Sequence, residues 1–456
     1  MRIFSATTTA TLLALSATAA LAQSSKGPAI RPLGNVTATS SDSITMLGGV
    51  RHLPNGNLLV NDLIRRRVVM LDPSLKLVSV IADTMPGSPN PYGTRPGSLV
   101  PYKGDSTLFI DASSLSMLVI DGAGNIARVM SVPRSQDAGM LASTALGGMG
   151  FDGERMVYRG NAALQMRSTG PANPGSASAS GPTFAAPTMP DTLPIVRVNL
   201  ATRALDTVAY IKVSQPKTNI NRGEDGNMSV SIEINPLPVV DDYAVMSDGR
   251  IAIVRGRDYH VEFIDATGKS TVGPKIPFEW KRLTDEEKVA FIDSVKAQTE
   301  RAAASGGSAA ARVGTALGAA MGGGAPMVIN QTQTRVGGSA SGEPIRRGDA
   351  GNSTTFRMAA TPNVSYIEPS KLPDYQPAFF GNQVRGDMDG NIWVRINPTK
   401  PIAGGPLYDV INGKGELIDR VQIPADRTIV GFGAGGVVYM SYMDGAQLKI
   451  ERASFK

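Results

Sequence analysis

The sequence contains no cysteine, which excludes disulfide staples and thiolate metal centres alike. It has only two histidines, His52 and His260, so imidazole chemistry has little to draw on. No Gly-x-Ser-x-Gly elbow, phosphate-binding loop or His-x-x-x-His pair occurs. Those hydrolase, nucleotide-binding and zinc-pair chemistries therefore lack their residues. Beyond the N-terminus no run approaches the roughly 20 apolar residues a membrane helix needs, so membrane insertion is not expected. The formal charge is only +6 and is spread along the chain. Arg65-Arg66-Arg67 and Arg346-Arg347 are the only tight basic groups, and neither is flanked by aromatics. Nucleic acid binders concentrate their basic residues on one element, so nucleic acid is not an expected partner.

The N-terminus is patterned for export. Arg2 supplies a positive start, a mostly apolar run covers Ala10 to Ala20, and Ala20-Leu21-Ala22 precedes Gln23. This is the small-x-small ending that signal peptidase cuts. Residues 1–22 read as a signal peptide and 23–456 as the mature chain, periplasmic or secreted. Without a cysteine at the cleavage point, no lipid anchor is expected.

One unit recurs through the mature chain: a tight Gly turn, an alternating apolar strand, a loop, then a second strand closing on Asp or Asn. It appears as Asn55-Gly56 into Leu58-Leu59-Val60 with Val68 to Asp72, and as Gly104-Asp105 into Leu108-Phe109-Ile110 with Leu118 to Asp121. A third copy, Asp152-Gly153 into Met156-Val157-Tyr158, is rejoined much later by Ile195 to Asn199. Asp248-Gly249, Asp389-Gly390 and Gly435-Gly436 open three more. Asp-Gly and Asn-Gly supply the positive φ angles a hairpin turn requires. Alternation on either side places one strand face in a core. The uninterrupted spacings are 48 residues from Gly56 to Gly104, 49 from there to Gly153, and 46 from Gly390 to Gly436. That period fits a four-stranded blade, and arranging blades around an axis protects the sheet edges. The last copy ends about one strand short, and the extended stretch from Ile30 to Thr39 can supply it. The expected fold is all-β: a six-bladed propeller of four-stranded blades, closed by the N-terminal strand. Seven blades is the main competitor, and a two-sheet sandwich leaves six matching turns unexplained.

The first copy, Gly56-Asn57-Leu58-Leu59-Val60-Asn61-Asp62 with Arg67-Val68 and Leu71-Asp72, resembles the NHL repeat of bacterial six-bladed propellers. Leu372-Pro373-Asp374-Tyr375-Gln376-Pro377 ahead of Asp389-Gly390-Asn391-Ile392-Trp393-Val394 is similar to the same broad group. The resemblance implies the fold. It leaves function open, because such propellers range from binding modules to hydrolases and lyases.

Three insertions break the period, at 160–193 inside blade three, 212–238 between blades three and four, and 279–378 between blades four and five. In a four-stranded blade all three junctions fall on the disc face opposite the Gly turns. The first insertion is rich in Gly, Ala, Ser and Pro, 303–351 within the third is rich in Gly, Ala and Ser, and both compositions predict flexibility. The third also predicts a helix over about 284–302, opened by a Thr284/Glu287 capping box, with Val289, Ile292 and Val295 as its apolar face. That face is expected on the propeller, with a protein partner as the alternative.

Loops gathered on one face of a rigid scaffold suggest a ligand site there. Residues following the second strands include Arg159, Arg255, Arg257, Arg395 and Asn397, with Ser441 and Tyr442. Arginine suits bidentate capture of carboxylate or phosphate, so these predict a small anionic or polyhydroxylated, sugar-like ligand. The competing reading pairs the arginines with loop carboxylates such as Asp258 or Asp387. Asn61, Asp62 and Asp111 supply oxygen donors for a calcium ion in a lactonase-like hydrolase or lyase. Calcium is expected only under that alternative, and otherwise no cofactor is. His260 is the one candidate general base, and His52 is expected to be structural.

Overall fold

The computed structural model describes residues 27–85, 87–88, 90–143, 148–160, 190–214, 216–222, 228–304, 363–400 and 402–455. The expected leader over 1–22 and the interiors of the Gly/Ala/Ser-rich insertions lie outside these residues.

Six four-stranded antiparallel sheets follow one another along the chain. Blade one pairs Leu47–His52, Leu58–Asp62, Arg67–Leu71 and Leu77–Ala82 in order. Blade two runs from Ser98 to Ser131, blade three from Gly150 to Lys212 and blade four from Asp242 to Lys275. Blade five runs from Val384 to Gln422. Blade six is Thr428–Gly433, Val437–Asp444 and Gln447–Ser454, completed by Val36–Thr39, which pairs antiparallel to Gln447–Ser454. The first strands touch in turn from blade six through blade one to blade five, and a shared core between blades five and six closes the ring. The chain is a six-bladed β-propeller.

The N-terminal segment closes the ring twice. While Val36–Thr39 completes blade six, Ile30–Pro32 adds a fifth, parallel strand to the outer edge of blade five. Both final blades are thereby tied to the start of the chain.

The repeated Asp or Asn has a local cause. Asp72, Asp121, Asn199, Asp265 and Asn412 each turn a side-chain oxygen onto backbone N–H groups two to four residues ahead. Such Asx turns fold the third strand back into the fourth using only neighbouring residues. At the same end of each blade, in the turns between first and second strands, Gly56, Gly153, Gly249 and Gly390 have φ between 85° and 95°, a region costly for side chains with Cβ.

The cores lie between blades. Leu59 and Met70 of blade one meet Phe109 and Ile120 of blade two, and equivalent apolar sets fill the other seams. Buried ion pairs supplement them. Asp409 of blade five accepts from Arg420 Nε at 2.7 Å and from the Tyr259 hydroxyl of blade four at 3.0 Å.

The two long linkers build a satellite. Lys217–Arg222 and Met228–Ile234 form a hairpin, and Asn363–Tyr366 joins it in parallel, giving a three-stranded sheet. A helix spans Asp285–Ala304 between blades four and five; with the small sheet counted, it follows the fifth sheet in chain order. Thr284 N–H donates to Glu287 Oε2 at 3.0 Å and Glu287 N–H to Thr284 Oγ1 at 3.2 Å, the reciprocal capping box. Its buried stripe differs from the expected one. Ile292 is buried with Leu237 and Leu372, and Val295 is buried as well, but Val289 is 46% exposed. Steps of three residues rotate about 60° away from a fixed line at each step. The stripe that keeps to one face is Lys288, Ile292, Val295 and Thr299, at the alternating four-three spacing.

Candidate functional site

The end of the disc bearing the insertions collects the starts of the first strands, the ends of the second strands and the long linkers. Strand alternation decides where each side chain there points.

Arg255 ends the second strand of blade four and turns toward blade three. It donates to Tyr210 O at 2.9 Å, Asp241 Oδ2 at 2.8 Å and Glu262 Oε2 at 2.7 Å. Burial alone would lower its pKa, but the bonds to Glu262 and Asp241 outweigh that and raise it. Burial likewise pushes the Glu262 carboxyl up, yet Arg255 and His260 together hold it below its ordinary range. This arginine is a structural tie, paired as the competing reading anticipates but with Asp241 and Glu262 in place of the loop carboxylates. Asp258 instead meets His260, and Asp387 accepts backbone N–H groups and the Trp393 indole.

Arg159 enters the same seam from blade three. Its charge acts on the buried Asp242 without a direct ion pair. Asp242 accepts three backbone N–H bonds, from Tyr243 at 2.9 Å, Gln383 at 2.7 Å and Val384 at 2.9 Å, so it staples blade four to blade five. Burial raises its pKa to about 6 despite those donors. Arg395 faces the other way, onto Tyr408 in the core shared with blade six. Arg257 is exposed on the loop after Arg255. The four arginines therefore do not converge on one point. Among the described residues, Arg159, Arg257 and Arg395 nevertheless form no ion pair, and Arg385, exposed on the first strand of blade five, is a fourth such cation that sequence reasoning missed. Its neighbours Val384 and Gly386 gave no signal of its placement.

The metal candidates are occupied by protein. Asn61 spends its amide on Gly97 O at 2.8 Å and on the Tyr92 hydroxyl at 3.0 Å. Asp62 is buried, accepts Thr45 N–H at 3.2 Å and lies 3.5 Å from Arg67 Nε. Asp111 accepts Ser113 N–H at 2.9 Å and the Ser114 hydroxyl at 2.6 Å. The Asn61 bond needs Gly97, because a Cβ there would lie 2.5 Å from the Phe109 ring. Among the described residues no three acidic, His or Cys side chains gather as a metal set.

His260 holds carboxylates at both ring nitrogens, Asp258 at 2.8 Å and Glu262 at 3.4 Å. Neither nitrogen is turned to open space, which does not suit a general base. His52 meets the Tyr439 hydroxyl at 3.0 Å across the seam of blades one and six. Tyr442 packs under the Arg427 guanidinium, 4.2 Å from its ring centre, while Ser441 stays in the strand pairing.

Asn397 leads to a second feature. Its amide donates to Pro377 O at 3.0 Å, fixing a strap over the end of blade five. Between this strap and the helix lies a half-open cavity of about 560 Å³, with Asn397 in its wall.

The comparisons with known proteins follow the fold and go no further. No protein-family model matches the sequence, and the comparison with curated proteins gives no match. Among solved structures, a gluconolactonase from Xanthomonas campestris aligns over 94% of this chain and 97% of its own, at 11% identity and TM-score 0.35. A virginiamycin B lyase from Staphylococcus aureus aligns over 92% and 98%, at 10% identity and TM-score 0.34. A member of the DUF4221 family from Bacteroides vulgatus aligns over 94% and 96%, at 9% identity and TM-score 0.37. At such scores the propeller assignment rests on the strand pairing itself. No helix among the described residues is long and apolar enough to cross a membrane.

Proposed function

We propose that the chain is an exported binding module that takes a small anionic ligand at the insertion-bearing end of the propeller. One observation carries this reading. The carboxylates nearest the second-strand ends are consumed internally: Asp62, Asp111, Asp241, Asp242 and Glu262 each accept from backbone N–H groups, hydroxyls or guanidinium groups. Among the described residues, Arg159, Arg257, Arg385 and Arg395 have no ion-pair partner. Their guanidinium groups therefore remain open to a ligand, and an arginine fork matches carboxylate or phosphate geometry. The protein's own anions already satisfy Arg255, which belongs to the scaffold and not to the ligand.

The test is a thermal-shift titration of the mature chain with citrate, gluconate and inorganic phosphate. Ligand at about 100 times its dissociation constant adds about 2.7 kcal/mol of stability. The triple variant Arg159→Gln, Arg257→Gln, Arg395→Gln is expected to fold normally and lose the response. An undiminished response in that variant refutes the site.

A further inference from the structure

We infer that the cavity beside the helix is a second binding site, built for an uncharged small molecule with an apolar body and one hydrogen-bonding head. The inference is independent of the anion reading, because the two sites share no residue placed in contact with ligand.

The cavity is a composite that neither linker could make alone. Leu237 comes from the linker before blade four. Ala290 and Phe291 come from the helix, Phe380 from the strap, and Pro398 from the end of blade five. Its volume of about 560 Å³ falls within the range of small-molecule sites, which are mostly apolar with a few placed polar groups.

The walls are held before any ligand arrives. Arg282 and Tyr375 form an isolated antiparallel bridge, flanked by Leu283 N–H to Asp374 O at 2.8 Å and Gln376 N–H to Lys281 O at 2.9 Å. Lys288, nearly buried, donates to Asp374 Oδ1 at 2.8 Å and so ties the helix to this ribbon. The capping box fixes the helix start, and Asn397 fixes the strap. A site ordered in advance loses little entropy on binding.

The charge at the rim selects the ligand class. Lys281 and Glu287 line the cavity and pair with each other at 2.8 Å, leaving no net charge between them. A carboxylate attracted to Lys281 meets Glu287, and an ammonium meets the reverse. A hydroxyl or amide head faces neither penalty and can bond to the Gln376 amide or the ion pair. Ala290 is exposed and small, so the floor can be filled without touching the buried stripe.

The probe is N-phenyl-1-naphthylamine, an uncharged amphipathic fluorophore that brightens in apolar surroundings, added to the mature chain. Saturable one-to-one enhancement is expected, with displacement by decanol at least tenfold stronger than by decanoate or decylamine. Ala290→Trp should weaken probe binding at least tenfold at unchanged melting temperature, while Ala290→Ser should bind as wild type. Absence of saturable binding, or full binding by a folded Ala290→Trp protein, overturns the inference. Equal displacement by decanol, decanoate and decylamine overturns the assigned ligand class. The anion response of the preceding section should be intact in Ala290→Trp, so the two proposals fail separately.

Discussion

Replacing Arg255 by leucine separates a scaffold arginine from a ligand arginine. The change deletes three hydrogen bonds, two of them to carboxylates, and leaves Asp241 and Glu262 facing each other in a partly enclosed seam. Hydrogen bonds to charged groups contribute about 1.5–3 kcal/mol each, and breaking a fully buried pair costs about 3–5 kcal/mol. The Arg255 side chain keeps 23% exposure, and Asp241 and Glu262 keep 12% and 24%, so water partly re-solvates what is left. A loss of roughly 2–3 kcal/mol is the reasoned size. Unfolding entropy of about 2.1 cal/mol/K per residue makes each kcal/mol worth roughly 1–1.5 °C in a chain this long. Scanning calorimetry at pH 7 should therefore show a midpoint lowered by roughly 2–4 °C. The effect should depend on pH in a definite sense. Glu262 is held below its ordinary range in the fold, so its pairing stabilises above the unfolded carboxyl value and fades as pH falls through the folded one. The gap between wild type and variant should thus narrow below about pH 4.5. Anion binding per folded molecule should be unchanged. A variant with wild-type melting and abolished anion binding would refute the assignment of Arg255 to the scaffold.

Two further perturbations test the seam between blades four and five. Arg420→Met leaves Asp409, fully buried, with only the Tyr259 hydroxyl as partner, and should cost about 3–5 kcal/mol by denaturant titration at pH 7. Adding Asp409→Asn should recover most of that loss, and failure to recover it would discount the buried charge as the cause. For Asp242, whose pKa is raised from 3.8 to about 6, the fold favours the protonated form. The resulting penalty, ~3 kcal/mol, is complete above about pH 6 and absent below about pH 4. The stability of Asp242→Asn relative to wild type should therefore fall on acidification from pH 7 to pH 4, and a pH-independent difference would contradict the shift.

Much of the fold was legible because its causes are local. An Asx turn needs one acceptor and the next four residues, and a hairpin glycine needs only its own φ. Copies of both, spaced 46 to 49 residues apart where no insertion intervenes, therefore announced blades. The shortfall after Phe455 likewise announced that another segment must complete blade six, and Val36–Thr39 does so. The capping box of Thr284 and Glu287 was readable for the same reason, since both partners lie within one helical turn.

The candidate site was not legible to that degree. Whether Arg255 is free depends on Asp241 in a linker and Glu262 on the next strand, and whether Asn61 can hold a metal depends on Gly97 across a seam. Spacing along the chain carries no record of such encounters. The cavity beside the helix is further removed still, because Leu237, Phe291, Gln376 and Pro398 meet only after two linkers fold together. Local turn chemistry and periodic burial are written residue by residue, so the sequence by itself determined the propeller and its closure. Charge pairing and cavity shape arise between segments far apart, so only the tertiary structure decided that Arg255 is paired and where the cavity beside the helix lies.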